Sequence, residues 1–369
     1  MNKKIHTFAF YLPQFHPIKE NNEWFGEGFT EWTNVGKTRP LFRGHYQPRV
    51  PADLGYYDLR VPEVRRRQAE MAKEAGIDCF CYYHYWFGNG KRLMEMPIEE
   101  VTRTGQPDFP FCLCWANHTF YKKTWNSAVK ELDFSLLLEQ TYPGIEDIKN
   151  HFYTLLHIFK DKRYYKIDNR LVFVLYDISK IPNVEQFIKI WNDLAITEGL
   201  NGFYFISYTT NPNNIREYPF SVTDSVILAL HHYAFTNGKS NKFNKYIKTI
   251  KELLGNYLGY PMSVVKYKHM IKYLVNEVMM EDKVIPCVIP NWDVSPRRGS
   301  GATIMHNSTP ELFRTHLIQA VDLIKMKPDD KRILFIKSWN EWGEGNYLEP
   351  DLRHGKGYIN VLKEVLNNH

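Results

Sequence analysis

Two glutamates three residues apart, Glu341 and Glu344, follow the apolar run 333–336 in the segment Ser338-Trp339-Asn340-Glu341-Trp342-Gly343-Glu344-Gly345. Such a pair can supply the acid and the base of a hydrolytic or transfer reaction: one carboxyl gives a proton to a leaving oxygen while the other takes one or attacks. In an extended chain, positions three apart point to opposite faces. The two carboxyls therefore reach one pocket only where the loop turns after Trp339, and Gly343 and Gly345 permit that turn. Trp339 and Trp342 flank the pair, and their apolar faces are expected to raise at least one pKa and keep that group protonated as a general acid.

Of the nine tryptophans, eight fall at or just after the C-terminal ends of apolar, strand-like runs: Trp24, Trp32, Trp86, Trp115, Trp125, Trp292, Trp339 and Trp342. Only Trp191 sits in a helical pattern. Flat aromatic faces suit the apolar faces of sugar rings, and sugar hydroxyls need amides, carboxylates, imidazoles and guanidinium groups around the rim. The same run ends supply them. Tyr11, Gln14 and His16 follow the first run, Tyr82, His84 and Tyr85 close the second, Asn117 and His118 follow the third, and Asp293, Arg297 and Arg298 follow the seventh. Together they describe a polar, aromatic-walled cleft for an oligosaccharide or polysaccharide.

Other chemistries lack their signatures. There is no Gly-x-Ser-x-Gly elbow, no Gly-rich phosphate loop after a strand and no His-Glu-x-x-His. His231-His232 would suit a metal in a barrel amidohydrolase, but Phe10-Tyr11-Leu12 replaces the His-x-His that such a site needs on the first strand. Cys79-Phe80-Cys81 and Cys112-Leu113-Cys114 lie inside apolar runs, where free cysteines pack as small hydrophobes rather than as zinc ligands in turns. No metal or other cofactor is expected.

A net charge of +6 is mild for 369 residues. The basic residues are scattered, apart from Arg65-Arg66-Arg67 and the lysines between 239 and 273, so no nucleic-acid surface is expected. The N-terminus runs directly into a strand-like segment without a signal-peptide pattern, and no run is long enough to span a bilayer. Five cysteines, an odd number, fit reduced thiols, and a cytoplasmic location is the expectation.

What must position the site is a repeating alternation. Strands are predicted at 7–11, 78–85, 111–115, 171–176, 203–208, 225–230, 284–289 and 333–336, and helices at 62–75, 145–159, 184–198 and 310–325. Eight such alternations predict an α/β fold, a closed (β/α)8 barrel forming a single catalytic domain over 1–369. Insertions are read at 13–61, as an active-site cover, and at 231–282, with helices at 246–257 and 264–280.

The motifs carry a resemblance along nearly the whole chain. Ala9-Phe10-Tyr11-Leu12-Pro13-Gln14-Phe15-His16-Pro17, Gly28-Phe29-Thr30-Glu31-Trp32-Thr33-Asn34-Val35, Gly44-His45-Tyr46-Gln47-Pro48, Cys81-Tyr82-Tyr83-His84-Tyr85-Trp86-Phe87, Asn291-Trp292-Asp293 and Trp339-Asn340-Glu341-Trp342-Gly343-Glu344-Gly345 resemble the WbsX-like family. That family occurs in bacterial polysaccharide and O-antigen clusters and is related to family 99 glycoside hydrolases, the endo-α-mannosidases and endo-α-mannanases. The resemblance implies retaining cleavage of α-mannoside-like linkages, with Glu341 as base on the sugar 2-hydroxyl, a 1,2-anhydro intermediate, and Glu344 as acid/base. It also implies substrate contacts from Glu31, Trp32, His45, Tyr46, Trp86, Trp292, Asn340 and Trp342. The alternative is a glycosyltransferase of O-antigen or capsule assembly, as family members are commonly labelled. His118 stands where the family usually has Glu, which bears on substrate choice. Gly343 stands where the endomannosidases have a larger residue, which is expected to open the leaving-group side.

Overall fold

Short runs rich in β-branched and aromatic residues form eight parallel strands: β1 (His6–Tyr11), β2 (Cys79–Trp86), β3 (Phe111–Trp115), β4 (Arg170–Leu175), β5 (Phe203–Thr209), β6 (Ser225–Leu228), β7 (Val284–Val288) and β8 (Ile333–Ile336). The computed structural model describes residues 5–122, 124–126, 131–238, 261 and 263–368. Each strand hydrogen-bonds to the next in chain order, and β8 closes on β1 with Phe8 opposite Phe335 and Ala9 opposite Ile336. This is a (β/α)8 barrel. Its strands are buried on both faces because helices cover the outside and side chains fill the inside, which is why they read as unbroken apolar runs.

The outer helices include Pro62–Glu74, Ile145–Phe159, Val184–Thr197, Pro310–Lys325 and Gly357–Asn368. Two begin where side chains satisfy otherwise unpaired N–H groups: Asn183 accepts from the Gln186 amide and Thr309 from the Leu312 amide. Among the described residues, no helix is long and apolar enough to cross a membrane.

The alternation along β1 and β2 decides which side chains can reach the barrel mouth. Phe8 stacks on Phe335 at 4.8 Å and Phe10 on Tyr83 at 5.4 Å, so these residues face inward. Tyr11 faces outward and donates from Oη to Gln68 on the helix Pro62–Glu74, at 2.7 Å. The five cysteines are free and buried, with Cys81 opposite Cys112 across β2 and β3.

The expected helix at 264–280 is corrected. Residues Ser263–Lys266 form a strand parallel to Thr303–His306, and a helix covers only Tyr267–Leu274 before a 3₁₀ turn at Glu277–Met280. The β-branched Val264-Val265 pair favours the strand, and Asn276, which accepts from the Val278 amide, starts the turn. The helix expected at 246–257 lies outside the described residues. Residues 13–61 contribute helices Lys19–Phe25 and Glu31–Gly36, and the second of these places Glu31 at the barrel mouth.

Candidate active site

Just beyond β8 the chain makes a tight hairpin. Asn340–Glu341 pairs antiparallel with Asn346–Tyr347, and the 3₁₀ turn Trp342–Glu344 forms its tip. Gly345 closes it at φ +53°, where a Cβ would meet the Asp293 Cβ at 2.8 Å, so glycine is required by both conformation and space. This turn brings the two glutamates onto one cation. Arg297 Nη1 lies 3.5 Å from Glu341 Oε1 and 2.7 Å from Glu344 Oε1, and Arg297 Nε donates to Glu31 Oε2 at 3.1 Å. Because both glutamate oxygens approach a single nitrogen, no more than about 6 Å separates them.

Gly343 does not open the leaving-group side as expected. A Cβ there would lie 1.8 Å from Glu31 Oε2 and 3.0 Å from Arg297 Nε, so the Glu31–Arg297 ion pair occupies the space that a larger residue would take. Gly343→Ala is therefore expected to dislodge Glu31 and Arg297 together and lower kcat/KM by about 100-fold through misplacement of the glutamates. Steady-state kinetics beside a melting curve would check this.

Glu341 is 6% exposed, and its carboxyl is pushed up to about 7. Burial is the main cause and the like charge of Glu344 the second, while Arg297 and Lys337 pull the other way. The expected rise of at least one carboxyl by burial is thus found at Glu341. Trp339 packs on Phe80 at 5.4 Å, and Trp342 stacks on Tyr347 at 3.8 Å and against Trp32 at 5.4 Å, so both indoles anchor the hairpin from behind. Glu341 Oε2 is buried without a hydrogen-bond partner, an arrangement that costs free energy until a donor such as a sugar hydroxyl arrives.

Behind the pair lies a polar buttress. Asp293 accepts from Gln47 Nε2 at 2.8 Å and from the Ser295 amide at 3.0 Å, and it contacts His45 Nε2 at 2.8 Å. Burial alone would raise its carboxyl, but His45 and Arg49 hold it below the usual range. The Asp293 amide donates to the Glu344 carbonyl at 2.6 Å, fixing the hairpin tip. Asn340 clasps Leu12 through both backbone groups, at 2.7 and 3.0 Å, tying the hairpin to β1.

Glu349 accepts from Tyr57 Oη at 2.9 Å, Gln68 Nε2 at 2.7 Å and Trp342 Nε1 at 2.6 Å. Burial pushes this carboxyl up to about 7, and the three donors oppose it. Ionising Glu349 costs stability as pH rises from about 4.5 through 7, and Glu349→Gln removes that cost while turning an amide N–H toward a donor, so the variant's stability relative to wild type is expected to rise between pH 5 and pH 8. Urea denaturation at the two pH values would measure that change.

Several residues expected to line the cleft lie elsewhere. Tyr82 pairs with Tyr11 on the outer face, with the rings 4.3 Å apart. His84 shares a 2.8 Å hydrogen bond with His151 of the helix Ile145–Phe159, Trp86 stacks on His151 at 4.7 Å, and Trp115 packs on Phe187. Period-two alternation puts these side chains under the helices, away from the mouth. Asn117 clasps Asp177, through its N–H and its carbonyl, and Tyr142. His16 is buried, which lowers its pKa to about 4. Gln14 is half-buried, and its carbonyl accepts from the Glu31 amide. Trp32 donates to the Tyr57 carbonyl at 2.7 Å, and Tyr46 lies under the Arg353 guanidinium at 4.6 Å.

Those brought to the mouth are Glu31, Arg297, Glu341 and Glu344, with Tyr85 in electrostatic reach of Glu341 and Arg297. Trp292 packs on His231 at 4.3 Å, and His118 is half-buried with its ring 6.1 Å from that of Tyr176. Lys337 and the inward tyrosines Tyr83, Tyr176 and Tyr208 were not among the residues expected here, although the alternation inside β2 and β5 carried that signal. The aromatic wall is made largely of tyrosine, not tryptophan. Among the described residues, no group of three or more His, Cys, Asp or Glu is placed to hold a metal ion.

A closed (β/α)8 barrel with paired glutamates at the C-terminal mouth of its last strand defines the class, one in which loops beyond the strands carry the chemistry. The family model described as Glycosyltransferase WbsX matches residues 7–362, and the chain belongs to that family. It is 33% identical over 359 residues to the uncharacterized protein WxcX of Xanthomonas campestris pv. campestris, covering 97% of this chain and 49% of that protein. The chain thus spans about half the length of the curated relatives it matches. Among solved structures it is similar to a glycoside hydrolase-like protein, with a TM-score of 0.61 at 15% identity over 99% of this chain and 94% of that one. It is also similar to the GH99 endo-alpha-mannosidase from Bacteroides thetaiotaomicron, with a TM-score of 0.56 at 15% identity over 98% and 97%. At such identity the likeness establishes the fold, and fold and family together support a carbohydrate-active enzyme.

Proposed function

We propose that residues 1–369 form one catalytic domain that cleaves or transglycosylates α-mannoside-like linkages of a bacterial glycan with retention of configuration, in the cytoplasm. The observation that carries this reading is the pair of glutamates gathered by Arg297. Their Oε1 atoms both lie within 3.5 Å of one Arg297 nitrogen, a closeness that supports the short carboxyl spacing of a retaining enzyme over the roughly 6.5–9.5 Å between the carboxyl groups of an inverting one. Glu341 is the base. Its carboxyl, pushed up to about 7, becomes a strong proton acceptor once ionised, and its unpartnered Oε2 is free to accept from a sugar 2-hydroxyl. Glu344, more exposed than Glu341, protonates the leaving oxygen and later deprotonates the incoming acceptor. Proton removal from the 2-hydroxyl drives its oxygen onto the anomeric carbon as the glycosidic bond breaks, and water or an acceptor hydroxyl then opens the 1,2-anhydro ring.

A second reading, a glycosyltransferase of O-antigen or capsule assembly, is favoured by the description of the matching family. Proton NMR with α-mannosyl and O-antigen oligosaccharides, with and without nucleotide-sugars, separates the two. Cleavage without nucleotide and with retained configuration supports the hydrolase. Product formed only with a nucleotide-sugar overturns it in favour of the transferase.

A further inference from the structure

One charged group at the mouth has no part in the acid–base scheme. Lys337 directly follows β8, and its side chain is 2% exposed at the floor of the barrel mouth. Nζ lies 5.4, 5.9, 5.1 and 5.0 Å from the ring centroids of Phe10, Tyr83, Tyr176 and Tyr208. Four strands, β1, β2, β4 and β5, or the residues just beyond them, thus build a cage around one ammonium. Among the described residues no carboxylate comes within 4.0 Å of it. Burying a charge is costly unless something answers it, and packing alone would be served by a methionine.

An ammonium can only donate, so the Nζ contacts at 3.2 Å to Tyr83 Oη and Tyr176 Oη make both phenol oxygens acceptors. Each phenol must then aim its own hydrogen away from Lys337. Burial by itself pulls the ammonium's pKa down, but the phenol oxygens and Glu341 more than restore it, so the group stays charged.

We propose that Lys337 is a positioning residue for the reaction inferred above: a fixed positive charge at the floor of the mouth that turns the Tyr83 and Tyr176 hydroxyl protons away from itself toward the bound sugar and eases the ionisation of Glu341 beside Glu344. This rests on Glu341 being the base. The groups facing Glu341 are Glu344 on its own hairpin, Arg297 from the loop after β7, Glu31 from the helix Glu31–Gly36, Tyr83 and Tyr85 from β2, Tyr176 after β4, and Lys337. Of these, Arg297 and Lys337 carry positive charge. Arg297 is itself paired with Glu31, Glu341 and Glu344, whereas among the described residues Lys337 has no carboxylate within 4.0 Å and acts on Glu341 through space. His231, His232 and Cys287 lie within electrostatic reach of Lys337.

The test is an infrared titration of the Glu341 carboxyl, assigned by difference from Glu341→Gln, in wild type and in Lys337→Met, Lys337→Gln and Lys337→Arg. Loss of the charge should raise the Glu341 midpoint by about one pH unit or more in the methionine and glutamine variants, and arginine should restore it. The acid limb of kcat/KM should move by the same amount. Glutamine keeps a donor for a phenol, so it separates charge from packing if the methionine variant fails to fold. A Glu341 midpoint unchanged in a folded glutamine variant overturns the proposal and leaves Lys337 a packing residue. The titration needs no turnover, so it answers even if the protein cleaves nothing in the glycan panel, the outcome that would overturn the functional reading instead.

Discussion

Glu341→Gln is expected to lower kcat/KM on any glycan the wild type cleaves by about 1,000-fold or more, and Glu344→Gln by a similar factor, because each removes a proton transfer that belongs to the transition state. The two losses should part on an activated glycoside whose leaving group needs no proton. There Glu344→Gln should recover much of its rate in the first step, while Glu341→Gln should not. The pH profile gives an independent sign. With its carboxyl pushed up to about 7, a basic Glu341 makes kcat/KM climb as pH rises through that value, whereas an acidic role would make activity fall there. Stability should move the other way from activity. The folded carboxyl binds its proton more tightly than the ordinary value of 4.5, so ionising it costs stability as pH rises from about 4.5 through 7. Glu341→Gln removes that cost, and the variant is expected to be more stable than wild type by about 1–3 kcal/mol at pH 8 and little changed at pH 5. Rate loss with a gain in melting temperature at pH 8 is the signature of a group kept against the interests of the fold.

The barrel was legible because a strand buried on both faces leaves an apolar run that helical spacing does not imitate. Each predicted strand matches an observed one to within two residues at either end. What the runs did not give was the facing of each residue. Tyr82 and Tyr83 are neighbours of one type at one strand end, yet one packs against Tyr11 outside the barrel and the other contacts Lys337 inside it. Choosing between them needs the closure register, which pairs Tyr11 with Tyr82 and is set by contacts remote in sequence. Grouping the tryptophans by strand end therefore gathered residues that point under helices, such as Trp86 and Trp115, with residues beside the mouth, such as Trp292. The hairpin turn was legible because the spacing of Glu341 and Glu344 and the glycines at 343 and 345 specify it. Lys337 was hidden because nothing in a lysine after an apolar run tells a snorkelling end from a caged ammonium.

Arg297→Gln should be the most damaging change outside the two glutamates, because one guanidinium answers three carboxylates delivered by different parts of the chain. Glu31 arrives on a helix after β1, and Glu341 and Glu344 on the hairpin after β8. The side chains of Glu31 and Glu341 are 3% and 9% exposed, so removing the cation leaves like charges crowded in low dielectric. Removing one partner of such a buried cluster typically costs about 3–5 kcal/mol, and a guanidinium that is itself a quarter exposed places the loss toward the lower end of that range. The loss should also depend on pH. Without Arg297 the Glu341 carboxyl rises further above about 7, so the variant goes on losing stability above the pH at which the wild-type group is already ionised. Melting curves should therefore show the deficit deepening above pH 7 and narrowing toward pH 5, with the acid limb of any remaining activity moved to higher pH. Arg297→Lys separates charge from geometry: a single ammonium cannot reproduce the fork that reaches Glu31 through Nε and both hairpin glutamates through Nη1, so it should restore part of the stability and little of the rate. Equal stability losses at pH 5 and pH 8 would show that Arg297 acts through packing and that the carboxylates do not repel one another at this mouth.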